Sequence, residues 1–474
     1  MSASHDAIVV GAGPNGLAAA ITLARAGRSV LVLEAAATVG GGTRTAELTL
    51  PGYRHDVCSA IHPLALASPF LRELPLERHG LTFVHPEIPL AHPLDDGSAV
   101  ALQRSVEATA AGLGPDADAY RQLIGPLARD WEQLVQDLLA PPRRPRHPLA
   151  LARFGRAGVR SATGLARGRF EGARAQALLA GNAAHSFRRL ESPATGAYGL
   201  LLALLGHGVG WPAAAGGSQA IADAMASLLR ELGGEIRTDS EVRSLADVRS
   251  ARAVLLDVTP RQLLAIAGDA LPPRYRRALA RYRYGPGVFK LDYALSGPVP
   301  WTAPECRRAG TVHLGGTMEE IAHGEREVLC GRHAERPFVL VAQQSLFDPA
   351  RAPAGTHTLW AYCHVPNGSA VDATAAVERQ IERFAPGFGE LVLARSALDT
   401  SALEAHDANL VGGDINGGAA DLRQLLTRPV PRRVPYSTPD RRLFLCSAAT
   451  PPGGGVHAMA GHHAARAALR AVLR

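Results

Sequence analysis

Lysine is nearly missing from this chain of 474 residues. Lys290 is the single lysine among its 50 basic residues, and all the others are arginines. A guanidinium and an ammonium group differ in shape, hydration and the ease with which they lose a proton, so a lone lysine indicates a position where arginine does not serve. We therefore treat Lys290 as a candidate functional residue, with a surface lysine of no special role, or an ion pair to Asp292, as the structural alternatives.

Cysteine and long apolar runs are scarce as well. The five cysteines are scattered without a C-x-x-C pair, so the sequence predicts neither a zinc site nor a dithiol redox centre. Histidine, aspartate and glutamate also lack ligand spacing, and no metal is expected.

No apolar run approaches the roughly 18 residues of a membrane span, and the first strand pattern begins too close to Met1 to leave room for a signal peptide. We expect a cytoplasmic protein.

Acidic residues are depleted in one stretch of the chain. Between residues 141 and 176 there are nine arginines and a single acid, Glu171, although the net charge of the whole chain is only +7. Two interpretations of this basic helical segment remain open: a solvated helical face on a substrate domain, or an amphipathic surface in peripheral contact with an anionic membrane. Interleaved stacking aromatics are absent, so nucleic-acid binding is not expected.

The segment from residue 6 to residue 34 has the pattern of a complete β-α-β unit around a dinucleotide. A short apolar run precedes Gly11, Gly13 and Gly16, which form a G-x-G-x-x-G turn into an alanine-rich helix. The first glycine permits the tight turn, the second lets the backbone approach a pyrophosphate, and the third lets the helix press against the strand. Glu34 ends the second strand, where a carboxylate accepts hydrogen bonds from a ribose. The segment therefore predicts a nucleotide cofactor.

The rest of the chain leaves this nucleotide-binding unit twice and returns twice. Apolar runs around Ile236 and at residues 253–258 extend the parallel sheet, whereas residues 284–295 and the strands near Val339 and Leu359 indicate a mixed or antiparallel sheet. The expected fold class is α/β, with a Rossmann-like domain interleaved with a mixed-sheet plus helical substrate domain. The expected ranges are 1–65, 210–285 and 430–474 for the nucleotide-binding domain, and 66–209 and 286–429 for the substrate-binding domain.

Two further glycine motifs carry a family resemblance. The stretch VGGGTRT at residues 39–45 follows the first motif, and CSAATPPGGGVHAMAG precedes a terminal helix. Over most of its length the chain resembles the flavoproteins that include phytoene desaturases, phytoene-dehydrogenase-related proteins and amine oxidases. The resemblance implies a glutathione-reductase-type domain that binds FAD non-covalently. The desaturase pattern often has an arginine where this chain has Gly42, which leaves Arg44 as the candidate for a phosphate contact.

The resemblance implies cofactor-binding roles for residues in all three motifs. The C-terminal glycine turn and a helix N-terminus expected around Val456 would lie near the pyrimidine edge of the flavin, where reduced flavin develops negative charge. The candidate cofactor-binding residues are Gly11, Gly13, Pro14, Asn15, Gly16, Glu34, Ala35, Gly41, Gly42, Thr43, Arg44, Val242, Gly454, Gly455 and Val456.

Catalytic and substrate-binding candidates follow from the same resemblance. Lys290 lies in GPGVFKLDYAL, which is similar to the amine-oxidase strand whose lysine reaches toward flavin N5 through a water. A desolvated lysine there acts as a base or proton relay. His457, beside the expected flavin edge, is the second catalytic candidate, with capping of the terminal helix as its structural alternative. His62, Trp211 and Asn416 are the candidates for substrate binding.

The predicted activity is that of a FAD-dependent oxidoreductase. The sequence lacks a second strand-linked G-x-G-x-x-G, so a dedicated NAD(P)H domain is not expected. Hydride would pass from a small apolar or amphipathic substrate to flavin N5, and oxygen, a quinone or another external electron acceptor would reoxidise the flavin. The alternatives are a flavin-dependent saturase or redox-neutral isomerase, and a non-catalytic escort-type binding protein on the same fold. The sequence indicates no oligomeric state.

Overall fold

Two large sheets and a helical layer form the part of the chain described by the structure, a computed structural model of residues 5–474. The strands are β1 (Ala7–Val10), β2 (Val30–Leu33), β3 (Thr45–Ala46), β4 (His55–Asp56), β5 (Phe83–Val84), β6 (Ile88–Pro93), β7 (Ala99–Leu102), β8 (Ala213–Ala214), β9 (Glu235–Arg237), β10 (Ala253–Leu256), β11 (Gly287–Leu295), β12 (Ala309–Leu314), β13 (Val339–Ala342), β14 (His357–Val365), β15 (Val392–Leu398) and β16 (Leu443–Leu445). The α-helices are α1 (Pro14–Arg25), α2 (Pro63–Ala67), α3 (Val106–Ala111), α4 (Ala117–Arg129), α5 (Trp131–Leu138), α6 (Pro148–Gly158), α7 (Ala162–Arg167), α8 (Ala173–Ala184), α9 (Thr195–Gly208), α10 (Gln219–Glu231), α11 (Pro260–Ala267), α12 (Pro273–Ala280), α13 (Met318–Leu329), α14 (Thr374–Phe384), α15 (Thr400–His406), α16 (Leu422–Thr427) and α17 (Met459–Ala471).

The first sheet is parallel and forms the nucleotide-binding unit. Its strand order is β16-β10-β1-β2-β9, and Ala7 pairs with Ala253 on one side and with Val30 on the other. The central strands are short runs of buried aliphatic residues, which is typical of a parallel sheet covered by helices. All five strands come from the three ranges predicted for the nucleotide-binding domain.

Helix α1 is the centre of packing in this unit. It starts directly after the glycine turn and ends before Gly27, whose φ of +73° lets the chain turn into β2. Helices α10 and α17 both pack against α1. The terminal helix begins at Met459 and not around Val456, because Ala458 in front of it takes a left-handed conformation with φ +62°.

The second sheet is mixed, and all its strands come from the two ranges predicted for the substrate-binding domain. Its order is β15-β11-β14-β13-β12-β6-β7, in which β12 and β6 are parallel and the other neighbours are antiparallel. Alternate residues of a strand point to opposite faces. In β11, Phe289, Leu291 and Tyr293 therefore pack into an apolar core on one face, and Lys290 and Asp292 lie on the other.

The helices between residues 106 and 208 form a layer beside the second sheet. Helix α8 packs against β6, β7 and α9. The basic segment at residues 141–176 forms α6, α7 and the first turn of α8, and Leu149 at the start of α6 is 81% exposed. Within residues 5–474, no helix is both long enough and apolar enough to cross a membrane.

Candidate cofactor and substrate site

Residues of both units line a cavity of about 1010 Å³. The three glycine motifs contribute one part of its wall, and side chains from the second sheet and the helical layer contribute another. Every candidate residue from the sequence lines this cavity except Gly16 and Lys290. Tertiary structure has therefore brought together motifs that are more than 400 positions apart in the chain.

Bare backbone forms the surface of the cavity next to the start of α1. A Cβ atom added to Gly41 would lie 3.2 Å from the Cα of Gly13, so these two glycine turns pack directly against each other. A Cβ on Gly16 would lie 2.0 Å from the carbonyl oxygen of Gly11, which is the close helix–strand approach that a third glycine permits. Unpaired N–H groups at a helix start next to such a surface suit a diphosphate.

Glu34 and Arg44 form a buried ion pair beside this surface. The Nη2 of Arg44 lies 3.1 Å from Oε1 of Glu34, whose Oε2 accepts a 2.7 Å hydrogen bond from the N–H of Ala12. Arg44 also donates to the carbonyl oxygens of Thr38 and His406, at 2.9 and 3.2 Å. The two terminal nitrogens of Arg44 are thus engaged by protein partners, while its Nε is buried without one. Oε1 of Glu34 also accepts a 2.9 Å hydrogen bond from the N–H of Ala36, so the lone pair left for a ribose hydroxyl is on Oε2.

Two carboxyl groups that sequence reasoning missed lie at the same surface. Oδ2 of Asp257 accepts a 2.8 Å hydrogen bond from the N–H of Gly16, and Oδ2 of Asp407 would lie 3.4 Å from a Cβ on Gly41. Burial raises the pKa of both groups, and that of Asp257 reaches about 8, with Asp407 and Glu34 adding to the shift. Asp257 directly follows a buried strand of the parallel sheet, a position that the sequence pattern marks, whereas Asp407 has no local signal.

The C-terminal glycine turn approaches Asn416 closely. A Cβ on Gly454 would lie 2.7 Å from the carbonyl oxygen of Asn416, and Gly455, with φ +109°, packs against Leu64. The Nδ2 of Asn416 is buried and has no hydrogen-bond partner among the described residues. A buried unpaired donor costs free energy, so this position suits a bound group that accepts a hydrogen bond.

His457 is fully buried at the start of the terminal helix. Its Nδ1 accepts a 3.1 Å hydrogen bond from the N–H of Met459, and its Nε2 donates to the carbonyl oxygen of Gly453 at 3.2 Å. Burial lowers the pKa of His457 to about 4, so the ring is neutral. Its two nitrogens therefore cap backbone groups, as in the structural alternative, and its catalytic role stays a prediction.

Aromatic side chains line the part of the cavity away from the glycine motifs. Trp211 is buried and donates its Nε1–H to the carbonyl oxygen of Leu202 at 3.3 Å. His62 lies 2.8 Å from the hydroxyl of Ser218, and burial lowers its pKa to about 4. Ser218, the residue before α10, thus pairs with His62 and makes no side-chain cap to that helix. The other aromatic rings of this wall are Phe154, His185, Phe187, Tyr198, Trp360 and Tyr362.

Lys290 lies behind this wall and is not one of the described residues that line the cavity. It is fully buried and forms a short ion pair with Asp292, whose other oxygen lies 3.5 Å from Nδ1 of His55. The two strand partners of the pair, Tyr362 and Trp360, do line the cavity, and the Nζ of Lys290 lies 5.8 Å from the Trp360 ring centre. Burial raises the pKa of Asp292 to about 6, although the lysine opposes the shift.

Comparisons with known proteins agree with this architecture. A family model described as an NAD(P)-binding Rossmann-like domain matches residues 9–74. The chain is 27% identical over 554 residues to pyridine nucleotide-disulfide oxidoreductase domain-containing protein 2 of Mus musculus, with 98% of this chain and 93% of the mouse protein covered. It is 27% identical over 507 residues to phytoene desaturase (neurosporene-forming) of Rhodobacter capsulatus, with 96% and 92% covered.

A solved structure extends the comparison to the amine oxidases. Cyclohexylamine oxidase from Brevibacterium oxydans aligns with a TM-score of 0.58 at 16% identity, with 100% of both chains covered. The expected resemblance and the α/β fold class are confirmed, and so is the predicted enzyme class, an oxidoreductase. The roles of the individual site residues and the boundaries of the domains stay predictions.

Proposed function

We propose that the chain is a FAD-dependent oxidoreductase that desaturates a C–C bond, or oxidises a C–N or C–H bond, of a largely apolar substrate. The observation that carries this proposal is the continuity of the cavity. Its glycine-lined part suits a dinucleotide, and the aromatic part suits an apolar molecule. A cofactor and a substrate bound in the two parts would meet inside the protein, where water is largely excluded.

The residues of the glycine-lined part fit a non-covalently held FAD. Gly11, Gly13 and Gly41 line the cavity without side chains and leave room for a diphosphate, and Oε2 of Glu34 keeps a lone pair for a ribose. The unpaired Nδ2 of Asn416 next to the C-terminal glycine turn would donate a hydrogen bond to the ring system. When bound, FAD supplies the hydride acceptor of the reaction.

The side chains of the aromatic part hold and orient the substrate in this proposal. Apolar lining favours a hydrocarbon-rich molecule because burial of its surface stabilises the complex by about 25 cal/mol per Å². The neighbouring thiol of Cys58 also lines the cavity, and burial raises its pKa to about 12, so it does not act as a thiolate. The names of the phytoene desaturase and the cyclohexylamine oxidase support a carbon-rich substrate for this chain too.

The test is an absorbance spectrum of the purified protein, with and without added FAD, followed by anaerobic photoreduction and readmission of air. We expect a flavin spectrum and reversible bleaching, and we expect acid precipitation to release the flavin into the supernatant. Reoxidation within seconds would indicate an oxidase, and slow reoxidation would indicate a desaturase or isomerase with another electron acceptor. A protein that stays colourless after incubation with FAD would contradict the proposal and favour a non-catalytic binding protein.

A further inference from the structure

Arg428 is a buried arginine in the wall of the cavity. It directly follows α16, and only 3% of the residue is exposed. A guanidinium group does not lose its proton in proteins, so Arg428 brings a permanent positive charge into the interior. Such a buried charge is costly unless it is paired and hydrogen-bonded. The question is therefore which groups compensate it.

The hydrogen-bond partners of Arg428 carry no charge. Its Nη2 donates long hydrogen bonds to the hydroxyl of Tyr282 at 3.3 Å and to the carbonyl oxygen of Gly418 at 3.4 Å. Its Nε is buried and has no hydrogen-bond partner among the described residues. Within residues 5–474, Arg428 forms no ion pair with a carboxylate, and its charge stays uncompensated.

The other buried arginines of the described chain behave differently. Arg44 pairs with Glu34 at 3.1 Å, and Arg351 pairs with Asp56 at 2.8 Å and with Asp348 at 2.7 Å. The fold thus compensates these two guanidinium groups with carboxylates of its own. At Arg428, which lines the cavity, an anion from outside the chain would take that place.

Asp414 interacts electrostatically with Arg428 but does not replace such an anion. Its Oδ2 accepts a 2.7 Å hydrogen bond from the N–H of Gly285, and its Oδ1 accepts a 2.8 Å hydrogen bond from the N–H of Asn416. Burial raises the pKa of Asp414, which weakens it as a counter-charge, although these hydrogen bonds and the charge of Arg428 oppose the shift. The carboxyl group is therefore held by backbone N–H groups and leaves the guanidinium without a direct partner.

Arg428 lies between the C-terminal glycine turn and the aromatic part of the cavity. A Cβ on Gly453 would clash with its Nη1, so the guanidinium packs against this turn. Tyr198 of α9 lines the aromatic part, and burial raises the pKa of its hydroxyl, whereas the positive charges of Arg428 and Arg188 oppose the shift. The charge of Arg428 thus acts on the part of the cavity that suits an apolar molecule.

We infer that Arg428 is a substrate-binding residue that pairs with a carboxylate on an otherwise apolar substrate. The inference names the substrate class within the proposed function and rests on it. A carboxylate matches a guanidinium group because its two oxygens accept two parallel N–H hydrogen bonds. The aromatic wall would cover the apolar remainder, and the uncompensated charge would repel an ammonium group. Reduced flavin is the other source of negative charge near this turn, and the experiment separates the two.

The experiment measures binding of three probes with the same apolar chain to the FAD-loaded protein at pH 7: decanoate, methyl decanoate and decylamine. Binding is followed by tryptophan fluorescence, because Trp211 and Trp360 line the cavity, and by the flavin spectrum. We expect decanoate to bind about 10–100-fold more tightly than decylamine, which is the scale of a hydrogen-bonded charge. Equal or tighter binding of decylamine would overturn the inference.

Variants identify the residue responsible for the preference. Arg428→Gln should weaken decanoate binding about 10–100-fold and leave methyl decanoate binding nearly unchanged, whereas Arg428→Lys should keep part of the preference because it keeps the charge. Arg433→Gln is the matched control, because Arg433 lies on the same segment, is exposed and is not among the described residues that line the cavity. Decanoate affinity unchanged in Arg428→Gln, or reduced equally in Arg433→Gln, would contradict the role of Arg428.

The reduction potential of the bound flavin distinguishes the two sources of negative charge. If Arg428 compensated reduced flavin instead, Arg428→Gln would lower this potential and leave decanoate affinity unchanged, which would overturn the inference. If the variants fail to fold, the comparison of the three probes on the unmodified protein still decides. The proposed function fails separately, through a protein that binds no flavin, and the probes are then compared by tryptophan fluorescence on the chain without it.

Discussion

Several ionisable side chains of this protein are buried next to the cavity, and their environment determines what each one does. Lys290 is the clearest example, because the same residue that the sequence marks as functional is tied to Asp292 in the structure. Removal of one partner of a buried ion pair strongly destabilises a protein, because the other charge stays buried without compensation. The structural and catalytic roles of such a residue can therefore be separated only by changing both members of the pair.

Lys290→Met should lower the free energy of unfolding by about 3 kcal/mol, because it leaves Asp292 buried without its cation. The double variant Lys290→Met with Asp292→Asn should recover most of this loss, as measured by urea denaturation. If Lys290 also transfers a proton in the reaction, the stable double variant should still show a flavin half-reaction slowed ~10²-fold. Half-reactions at the original rate in the double variant would assign Lys290 to structure alone.

Asp257 should make FAD binding depend on pH. Its pKa is raised from 3.8 to about 8 in the folded chain, so its contribution to stability is complete below pH 3.8 and is lost as the pH rises toward about 8. Above that value the carboxylate would repel a diphosphate at the glycine surface. We expect FAD affinity to fall by about tenfold per pH unit above pH 8, and Asp257→Asn to abolish this dependence.

The matched control for this titration is Asp118→Asn, which neutralises a carboxylate on the surface of α4. The side chain of Asp118 is 84% exposed, and Asp118 contacts Arg121 on its own helix. The Asp118→Asn variant should show the same pH dependence of FAD affinity as the unmodified protein. Isothermal calorimetry between pH 6 and pH 9.5 measures both variants, and a flat profile in the unmodified protein would show that Asp257 is not the titrating group.

At the scale of elements, the contact between α1 and α17 joins the two ends of the chain. A Cβ on Gly461 would lie 1.8 Å from the carbonyl oxygen of Asn15, so the terminal helix touches the backbone of the first one. Asn15 also lines the cavity. The terminal helix therefore supports the start of α1, where the sequence predicts the diphosphate, as well as carrying its own glycine turn.

Gly461→Ala should push α17 away from α1 and lower the free energy of unfolding by about 1–3 kcal/mol, with weaker FAD retention on gel filtration. Gly155→Ala in α6 is the control for the same substitution, because nothing lies within 4 Å of a Cβ at that position. It should raise stability by about 0.5–1 kcal/mol, since alanine favours a helix over glycine. Equal stability of the two variants would mean that the contact at Gly461 relaxes without cost.

At the scale of the whole molecule, the basic segment lies beside the aromatic part of the cavity. Phe154 of α6 lines the cavity, while Leu149 of the same helix is 81% exposed. The exposed arginines of the segment and this leucine suit an anionic membrane surface. The alternative, a solvated helical face, fits the same exposure, so binding to vesicles has to decide between the two interpretations.

Changing Arg143, Arg144 and Arg146 together to glutamine should weaken cosedimentation with phosphatidylserine vesicles if the segment contacts membranes. Each basic residue near such a surface contributes about 1 kcal/mol, so the partition coefficient should fall on the order of 10²-fold or more. Binding by the unmodified protein should also weaken as the salt concentration rises. No cosedimentation of the unmodified protein would leave the solvated face as the correct interpretation.

The control variant removes the same number of charges from a different surface. Arg274, Arg277 and Arg281 are exposed on and just after α12 of the nucleotide-binding unit. Their replacement by glutamine should leave vesicle binding unchanged if the contact is local to the basic segment. An equal loss in both triple variants would indicate a general charge effect and would contradict a specific docking surface.

The sequence by itself determined the features that local periodicity and glycine spacing encode. The strand before Gly11, the helix that ends before Gly27 and the strand that ends before Glu34 depend on neighbours in the chain, and each was predictable. The confirmed α/β class followed from several such segments. The resemblance to desaturases and amine oxidases was visible in the glycine motifs.

Only the tertiary structure decided which side chains meet across the fold. Asp407 lies at the glycine surface although it is far along the chain from the glycine motifs, Asp257 accepts a hydrogen bond from Gly16, and Lys290 pairs with Asp292 rather than lining the cavity. These contacts join positions hundreds of residues apart or depend on the packing around a buried strand. No local sequence pattern encodes such a contact, because burial and hydrogen-bond partners are properties of the packed chain.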